Sequence, residues 1–97
     1  MQPTISGKNI EVTDALKNAV YEKFEKIAER FQRVTKADVI LHVDNVTQIA
    51  EGTLHIDGHE MHAKAESKDM YRSIHDMIEK LEHQLTKHKE KIIDDHR

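Results

Sequence analysis

The sequence predicts an α+β domain with the element order βαβββα, in which a four-stranded mixed sheet carries two parallel helices packed on one face. Two stretches, residues 12–33 and 69–91, repeat apolar residues at helical spacings of three and four. Between them lie segments in which apolar and polar residues alternate, as they do in strands with one buried face. Because a strand–helix–strand crossover is right-handed, the first two strands should run parallel.

The chain of 97 residues is long enough for one domain with a single core. We therefore expect one unit over residues 1–97, with residues 92–97 as a frayed tail. The sequence contains no cysteine, which excludes a disulfide framework and a thiolate nucleophile and fits a reducing cytosol. It shows neither a signal-peptide core nor an apolar run that could span a membrane, so we expect a cytoplasmic protein without a membrane partner.

The N-terminal part predicts an edge strand followed by the first helix. Gln2–Lys8 alternates, and Pro3 favours an edge position because proline cannot donate a hydrogen bond to a neighbouring strand. Thr13 or Asp14 suits the helix N-cap, since either side chain accepts hydrogen bonds from backbone amides of the first turn. The apolar stripe of this helix consists of Leu16, Val20, Phe24, Ile27 and Phe31.

The middle and the end of the chain predict three further strands and a long helix. Ala37–Asp44 is typical of a central strand, and residues 48–57 form the next one up to a two-residue turn at Asp57 and Gly58. The return strand, Glu60–Glu66, then gives three outer-face pairs: His55–Glu60, Thr53–His62 and Glu51–Lys64. The final helix should run from Asp69 to Lys91, with Ser67 or Asp69 as its cap and an apolar stripe of Ile74, Ile78, Leu81 and Leu85.

Both helices sort their charges into a basic flank and an acidic back. The basic flanks comprise Lys23, Lys26, Arg30 and Arg33 on the first helix and Lys80, Gln84, Lys87 and Lys91 on the last. The acidic backs comprise Glu22, Glu25 and Glu29, and Asp76, Glu79 and Glu90. A solvated surface explains one such helix, but two independently sorted helices favour a partner with negative charges in a row. Since both flanks lie on the same side of their apolar stripes, one should line the groove between the helices and the other an outer edge.

The net charge of −3 hides this basic surface. Residues 37–63 contain five acidic and no basic residues, whereas the remainder has 15 basic against 13 acidic residues. A polyanion responds to a local basic stripe rather than to the net charge of the chain. The distribution therefore allows a nucleic-acid partner in spite of the overall negative charge.

Motifs for catalysis and for cofactor binding are absent from the sequence. It contains no P-loop, glycine-rich dinucleotide turn, GxSxG elbow or HExxH motif, so we expect neither an enzyme nor a bound cofactor. His42, His55 and His62 share the outer face of the predicted sheet and are candidate metal ligands. Their spacing matches no established metal site, and neighbouring Glu and Thr side chains satisfy them, so no metal is expected.

All four aromatic residues, Tyr21, Phe24, Phe31 and Tyr71, fall in predicted helices. Proteins that read single-stranded RNA usually place aromatics on strands, where bases stack on them. Their placement here moves any RNA contact to the helices, where Lys and Arg meet phosphates without reading sequence. Structured RNA that is recognised by its shape fits this arrangement best.

Three segments resemble the ribosome hibernation promoting factor family, in its short bacterial form, over essentially the whole chain. They are TISGKNIEVTDALKNAVYEKFEKI, TLHIDGHEMHAKAESKDMY and, most specifically, DMYRSIHDMIEKLEHQLTKHK. The resemblance implies a protein that binds the small ribosomal subunit in stationary phase, in the mRNA and tRNA channel near the A and P sites. It also implies inhibition of translation and, with ribosome modulation factor, promotion of ribosome dimerisation.

The resemblance and the basic flanks together give the candidate residues for binding ribosomal RNA. Lys23, Lys26, Lys80, Lys87 and Lys89 match basic positions of the family, and His83 stands where relatives often have Arg. The full candidate set is Lys23, Lys26, Arg30, Arg33, Lys80, His83, Lys87, Lys89 and Lys91.

Two alternatives stay open at this point. The chain ends soon after Lys91, which disfavours the long form of the family with its C-terminal dimerisation domain and favours a monomer when free. The short tail also disfavours the ribosome-associated inhibitor (protein Y), a paralogue that opposes ribosome dimerisation, but the helices alone do not exclude it. An alternative of another class is a protein-binding adaptor that uses the acidic outer face of the sheet.

Overall fold

The computed structural model of the chain describes the backbone of residues 2–95 and the side chains of residues 2–89. Its elements are β1 (Thr4–Lys8), α1 (Asp14–Arg30), β2 (Val34–Asp44), β3 (Thr47–Ile56), β4 (His59–Ser67) and α2 (Met70–Asp95). The order βαβββα confirms the predicted fold class. The backbone of α2 continues to Asp95, four residues beyond the predicted end at Lys91. The side chains of the predicted tail, 92–97, lie outside the described residues, so its fraying stays a prediction.

The sheet has the strand order β1-β2-β3-β4. β1 pairs with β2 in parallel, and the other two pairs are antiparallel, as the right-handed crossover predicts. The second hairpin turns at Asp57 and Gly58, whose φ angles of +52° and +75° suit a two-residue turn. All three predicted cross-strand pairs are present: His55–Glu60, Thr53–His62 and Glu51–Lys64.

Side-chain caps begin both helices. The Thr13 hydroxyl accepts a hydrogen bond from the Leu16 amide at 3.3 Å, and the Asp69 carboxylate accepts one from the Tyr71 amide at 3.3 Å. β2 and β4 run in the same direction, because each pairs antiparallel with β3. Since α1 runs antiparallel to β2 and α2 runs antiparallel to β4, the two helices are parallel to each other. Within the described residues, no helix combines the length and the apolarity that crossing a membrane requires.

The core lies between the helix layer and the inner face of the sheet. It contains both predicted apolar stripes in full, together with Val39, Leu41, Ala50 and Leu54 from the central strands. Gly52 lies beneath α2, where an added Cβ would stand 2.5 Å from Met77 Sδ and 3.0 Å from Leu81 Cδ1. The missing side chain therefore lets α2 approach the sheet closely, which fixes the height of the helix above β3.

The end of α1 differs from the prediction. The helix ends at Arg30, and the backbone of Phe31 turns away with its amide bonded to the Ile27 carbonyl at 2.8 Å. Val34 already pairs with Ile56 in the sheet, so β2 begins three residues before the predicted Ala37. Arg33 therefore lies in the connection to β2 and not on the basic flank of α1. The β-branched Val34 and Thr35 favour the extended conformation, so the chain enters the sheet before another helical turn forms.

Candidate nucleic-acid interface

The basic flank of α1 faces the groove between the helices. Lys23 Nζ lies 3.3 Å from Nδ1 of His75, and the Arg30 guanidinium contacts the Glu82 carboxylate at 2.8 Å. The two contacts join residues with the same sequence separation, as parallel helices require. Lys26 also lines this groove, which has a volume of about 430 Å³. One of the two basic flanks thus lies where the sequence predicted it.

The basic flank of α2 follows the outer edge of the sheet, along β4. Lys80 Nζ donates to the Lys64 carbonyl at 2.6 Å, and the Gln84 amide donates to the His62 carbonyl at 2.8 Å. Lys87 continues this flank and is exposed. The second flank therefore lies at an outer edge, which confirms the other half of the prediction.

The groove between the helices is not uniformly basic. Glu79 lines it and contacts His75 at 3.1 Å, although the sequence placed Glu79 on an acidic back turned away from the groove. Glu82 lines it as well. Exposed ion pairs of this kind contribute about 0–1 kcal/mol, so a phosphate can replace these carboxylates as partners of the Lys and Arg side chains at little cost.

A second group of cations lies around the C-terminal end of α1. Arg30, Arg33 and Lys89 line a cleft of about 490 Å³. In this cleft Asp57 contacts Arg33 at 2.7 Å and His88 at 3.0 Å. The hydrogen bond from His88, followed by the charge of Arg33, lowers the pKa of Asp57 below its ordinary value of 3.8. Arg33 is thus tied to the β3–β4 turn, apart from the cations of the groove.

Asp57→Asn should reduce stability above pH 4 and should have little effect at lower pH. The lowered pKa of Asp57 gives the folded state an advantage that is fully present above 3.8 and is lost as the pH falls through the folded-state pKa. Asn tolerates the positive φ of this turn position, so the turn itself is preserved. Urea unfolding of both proteins across this pH range measures the difference, and a destabilisation that does not change with pH would contradict the assignment.

The candidate RNA-binding residues whose side chains are described lie in three places. Lys23, Lys26 and Arg30 lie in or beside the interhelical groove; Lys80 and Lys87 follow the outer flank of α2; Arg33 and Lys89 lie at the C-terminal cleft. His83 is exposed between the groove and the β4 side of α2 and borders both. The side chain of Lys91 lies outside the described residues. The sequence analysis did not identify His75 and Glu82 as groove residues. Both lie beside the apolar stripe of α2 on the side that faces α1, and this position could have predicted their place in the groove.

The outer face of the sheet brings no metal site together. His42 pairs with Ile49 across the β2–β3 ladder, whereas His55 stands six residues further along β3, roughly 20 Å away at the rise of a strand. One ion therefore cannot bind His42 and His55 together. Among the described residues, His75, Asp76 and Glu79 on α2 form a closer group, but these exposed side chains already pair with one another or with Arg72.

The outer face is also less acidic than residues 37–63 suggest. Lysines from outside that segment join it: Lys36 lies 3.9 Å from Asp38, and Lys64 lies 3.5 Å from Glu66. The remaining acidic side chains of the face include Glu51 and Glu60, which contact histidines. The balance of charges weakens the adaptor hypothesis, which depends on an acidic sheet.

Comparison with known proteins gives a consistent result. A family model described as Sigma 54 modulation protein / S30EA ribosomal protein matches residues 4–93. Ribosome hibernation promoting factors of Salmonella typhimurium and Escherichia coli K12 are each 47% identical over 92 residues, which are 95% of this chain and 97% of theirs. The factor of Azotobacter vinelandii is 46% identical over 97% of this chain and 88% of its own.

Solved structures share the fold. A ribosomal subunit interface protein from Coxiella burnetii superposes with a TM-score of 0.86 at 27% identity, over 92% of this chain and 98% of that one. The N-terminal domain of Thermus thermophilus Protein Y superposes with a TM-score of 0.78 at 28% identity, over 88% and 93% of the two chains. With its family model, its relatives and its fold in agreement, the chain belongs to the S30EA ribosomal protein family that includes the ribosome hibernation promoting factors.

Proposed function

We propose that this chain is a ribosome hibernation factor that binds the small ribosomal subunit through its helix layer. In this proposal it occupies the mRNA and tRNA channel near the A and P sites, inhibits translation in stationary phase and, with ribosome modulation factor, promotes ribosome dimerisation. It acts by occupancy in the cytoplasm and catalyses no reaction. The observation that supports the proposal is the placement of cations of both helices in the helix layer, in the interhelical groove and along the outer flank of α2, away from the outer face of the sheet.

The geometry suits a folded RNA with several phosphate strands. The cations of α1 lie in the groove, and Lys80 and Lys87 lie on the far flank of α2, so the two rows are separated by about the width of a helix, roughly 10 Å. Lys and Arg side chains at this spacing can contact phosphates of neighbouring strands without reading bases. Among the described aromatics, Phe24 is buried in the core and none lies on a strand, so base stacking on the sheet has no platform.

The direction of the effect on ribosome dimerisation has a second candidate. The likeness to the Protein Y domain favours the alternative that the chain opposes dimerisation, as the paralogous inhibitor does. The identity of 47% to hibernation promoting factors favours promotion. Sedimentation of ribosomes with the protein, with and without ribosome modulation factor, separates the two. Our proposal expects a dimer peak that grows with the protein, and loss of that peak would support the inhibitor.

Replacing His42, His55 and His62 together with Ala should leave ribosome binding unchanged. These side chains lie on the sheet face, opposite the proposed interface, and His42 and His55 pair with Glu51 and Glu60. Filter binding or co-sedimentation with small subunits measures the affinity. A tenfold or greater loss, about 1.4 kcal/mol, in a variant with native circular dichroism would place the interface on the sheet instead.

A further inference from the structure

His75 contacts a lysine of one helix and a glutamate of the other. Its Nδ1 lies 3.3 Å from the Lys23 ammonium of α1, and its Nε2 lies 3.1 Å from the Glu79 carboxylate of α2. An ammonium group only donates hydrogen bonds, so Nδ1 is the acceptor, and the one proton of the neutral ring is on Nε2, facing Glu79. The neutral form of His75 therefore holds Lys23 as a hydrogen-bond donor inside the interhelical groove.

Protonation of His75 removes this contact. The second ring proton is placed on Nδ1, so Lys23 loses its acceptor, and two positive charges stand 3.3 Å apart. Repulsion between them favours a conformation in which the Lys23 ammonium turns away from the ring, where a phosphate can accept its hydrogen bonds. Histidine is the side chain that ordinarily gains its charge between about pH 5 and 8.

The net charge of the groove depends on its two histidines. The charged or titratable residues that line it are Lys23, Lys26, His75, Glu79, Glu82 and His83. The two lysines balance the two glutamates, so this lining has no net charge while both rings are neutral and a charge of +2 when both are protonated. A polyanion responds to this local charge. The groove therefore attracts RNA more strongly with protonated histidines.

The side chains of β4 face a separate groove on the other side of α2. The charged or titratable ones among them are His62, Lys64 and Glu66. Lys64 contacts Glu66 at 3.5 Å, and on α2 itself Arg72 contacts Asp76 at 3.2 Å. Each of these pairs is neutral as a unit. Lys80 also lies on that side, where it bonds the Lys64 carbonyl, so the residues of the interhelical groove decide the charge that a phosphate meets there.

We propose that His75 is a further residue of the RNA interface and that protonation of His75 and His83 strengthens RNA binding in the interhelical groove. This inference rests on the proposed function. A phosphate in the groove draws Lys23 away from His75 and adds negative charge beside both rings, so binding and protonation favour each other. The coupling is reciprocal: acid strengthens RNA binding by the same factor by which bound RNA favours the protonated rings.

The test is the affinity of the protein for small ribosomal subunits at about pH 8 and about pH 6, measured by filter binding at several salt concentrations. We expect binding at the lower pH to be at least about fivefold tighter, the lower end of typical coupling factors. The slope of log affinity against log salt should steepen by up to about two units, because two further cations meet phosphates. His75→Gln/His83→Gln cannot be protonated at these positions and should bring the ratio of the two affinities close to one.

The matched control is His42→Ala/His55→Ala/His62→Ala, which removes three histidines from the sheet and should keep the pH dependence of the wild type. His75→Arg/His83→Arg fixes both positive charges and should bind more tightly than the wild type at the higher pH, which provides a second route should the Gln variant fail to fold. A folded Gln variant with the pH dependence of the wild type, or a wild type with equal affinity at both pH values, would overturn this inference and leave the proposed function standing. A wild type that binds at neither pH would overturn both.

Discussion

Replacing Lys23, Lys26, Lys80 and Lys87 with Glu should weaken binding to the small ribosomal subunit at least about a hundredfold, because four phosphate contacts turn into four repulsions. The circular dichroism should stay native, since all four side chains lie outside the apolar stripes. Each lost phosphate contact should also lower the slope of log affinity against log salt, by up to about three or four units in total.

A control with the same change in charge separates local contacts from bulk electrostatics. Lys8, Lys36, Lys64 and Lys68 are exposed and lie on strands or in the turn before α2, outside the helix layer. Their replacement by Glu lowers the net charge equally and should keep most of the salt slope. Reversal of Glu22 and Glu25 to Lys, on the far side of α1, should not weaken binding. If replacement of the four helix lysines with Glu left both the affinity and the salt slope unchanged, binding through the helix layer would be contradicted.

Gly52→Ala should destabilise the fold by about 1–3 kcal/mol, which corresponds to a fall in the melting temperature of roughly 5–20 °C. The added Cβ would lie 2.5 Å from Met77 Sδ and 3.0 Å from Leu81 Cδ1, and both side chains are fully buried. Relief therefore requires these buried side chains to repack or α2 to move away from the sheet. Thermal unfolding monitored by circular dichroism measures the loss.

A double-mutant cycle with Met77→Ala isolates this contact. Met77→Ala alone opens a cavity and should be destabilising, but it removes the atom that the new Cβ would meet. Gly52→Ala should then cost less in the Met77→Ala background than in the wild type. Equal costs in the two backgrounds would show that the close approach of α2 does not explain why the position holds glycine.

Most of the fold could be predicted because local and long-range signals agree. The helical stripes, the Asp57–Gly58 turn and the alternating strands each favour one structure, and the three predicted outer-face pairs follow once the turn fixes the register. The end of α1 was mispredicted because helical spacing continues to Phe31 and the basic pattern continues to Arg33. The pairing of Val34 with Ile56 decides the boundary, and that contact is not visible in a local pattern.

The candidate interface could be predicted only in part. Rotational position about each helix correctly predicted that one basic flank lines the groove and the other an outer edge, but it did not assign them. The structure puts Lys23 and Lys26 in the groove and Lys80 on the outer edge. The partners that these side chains have in the free protein, such as Glu82 for Arg30 and the Lys64 carbonyl for Lys80, depend on how the two helices and β4 pack together. A charge pattern along one helix does not contain that information, so it showed a basic surface where the structure has a mixed groove.

Site-directed hydroxyl-radical cleavage tests the central claim, binding of ribosomal RNA by the helix layer, most directly. The chain has no cysteine, so single-cysteine variants carry an iron chelate at one chosen point. Glu79→Cys places it beside the interhelical groove, and Ile40→Cys places it on the exposed outer face of the sheet. On small ribosomal subunits we expect strong cuts in the RNA that lines the mRNA and tRNA channel from position 79, and weak or no cuts there from position 40. Strong cuts from position 40 with none from position 79 would contradict the proposed interface.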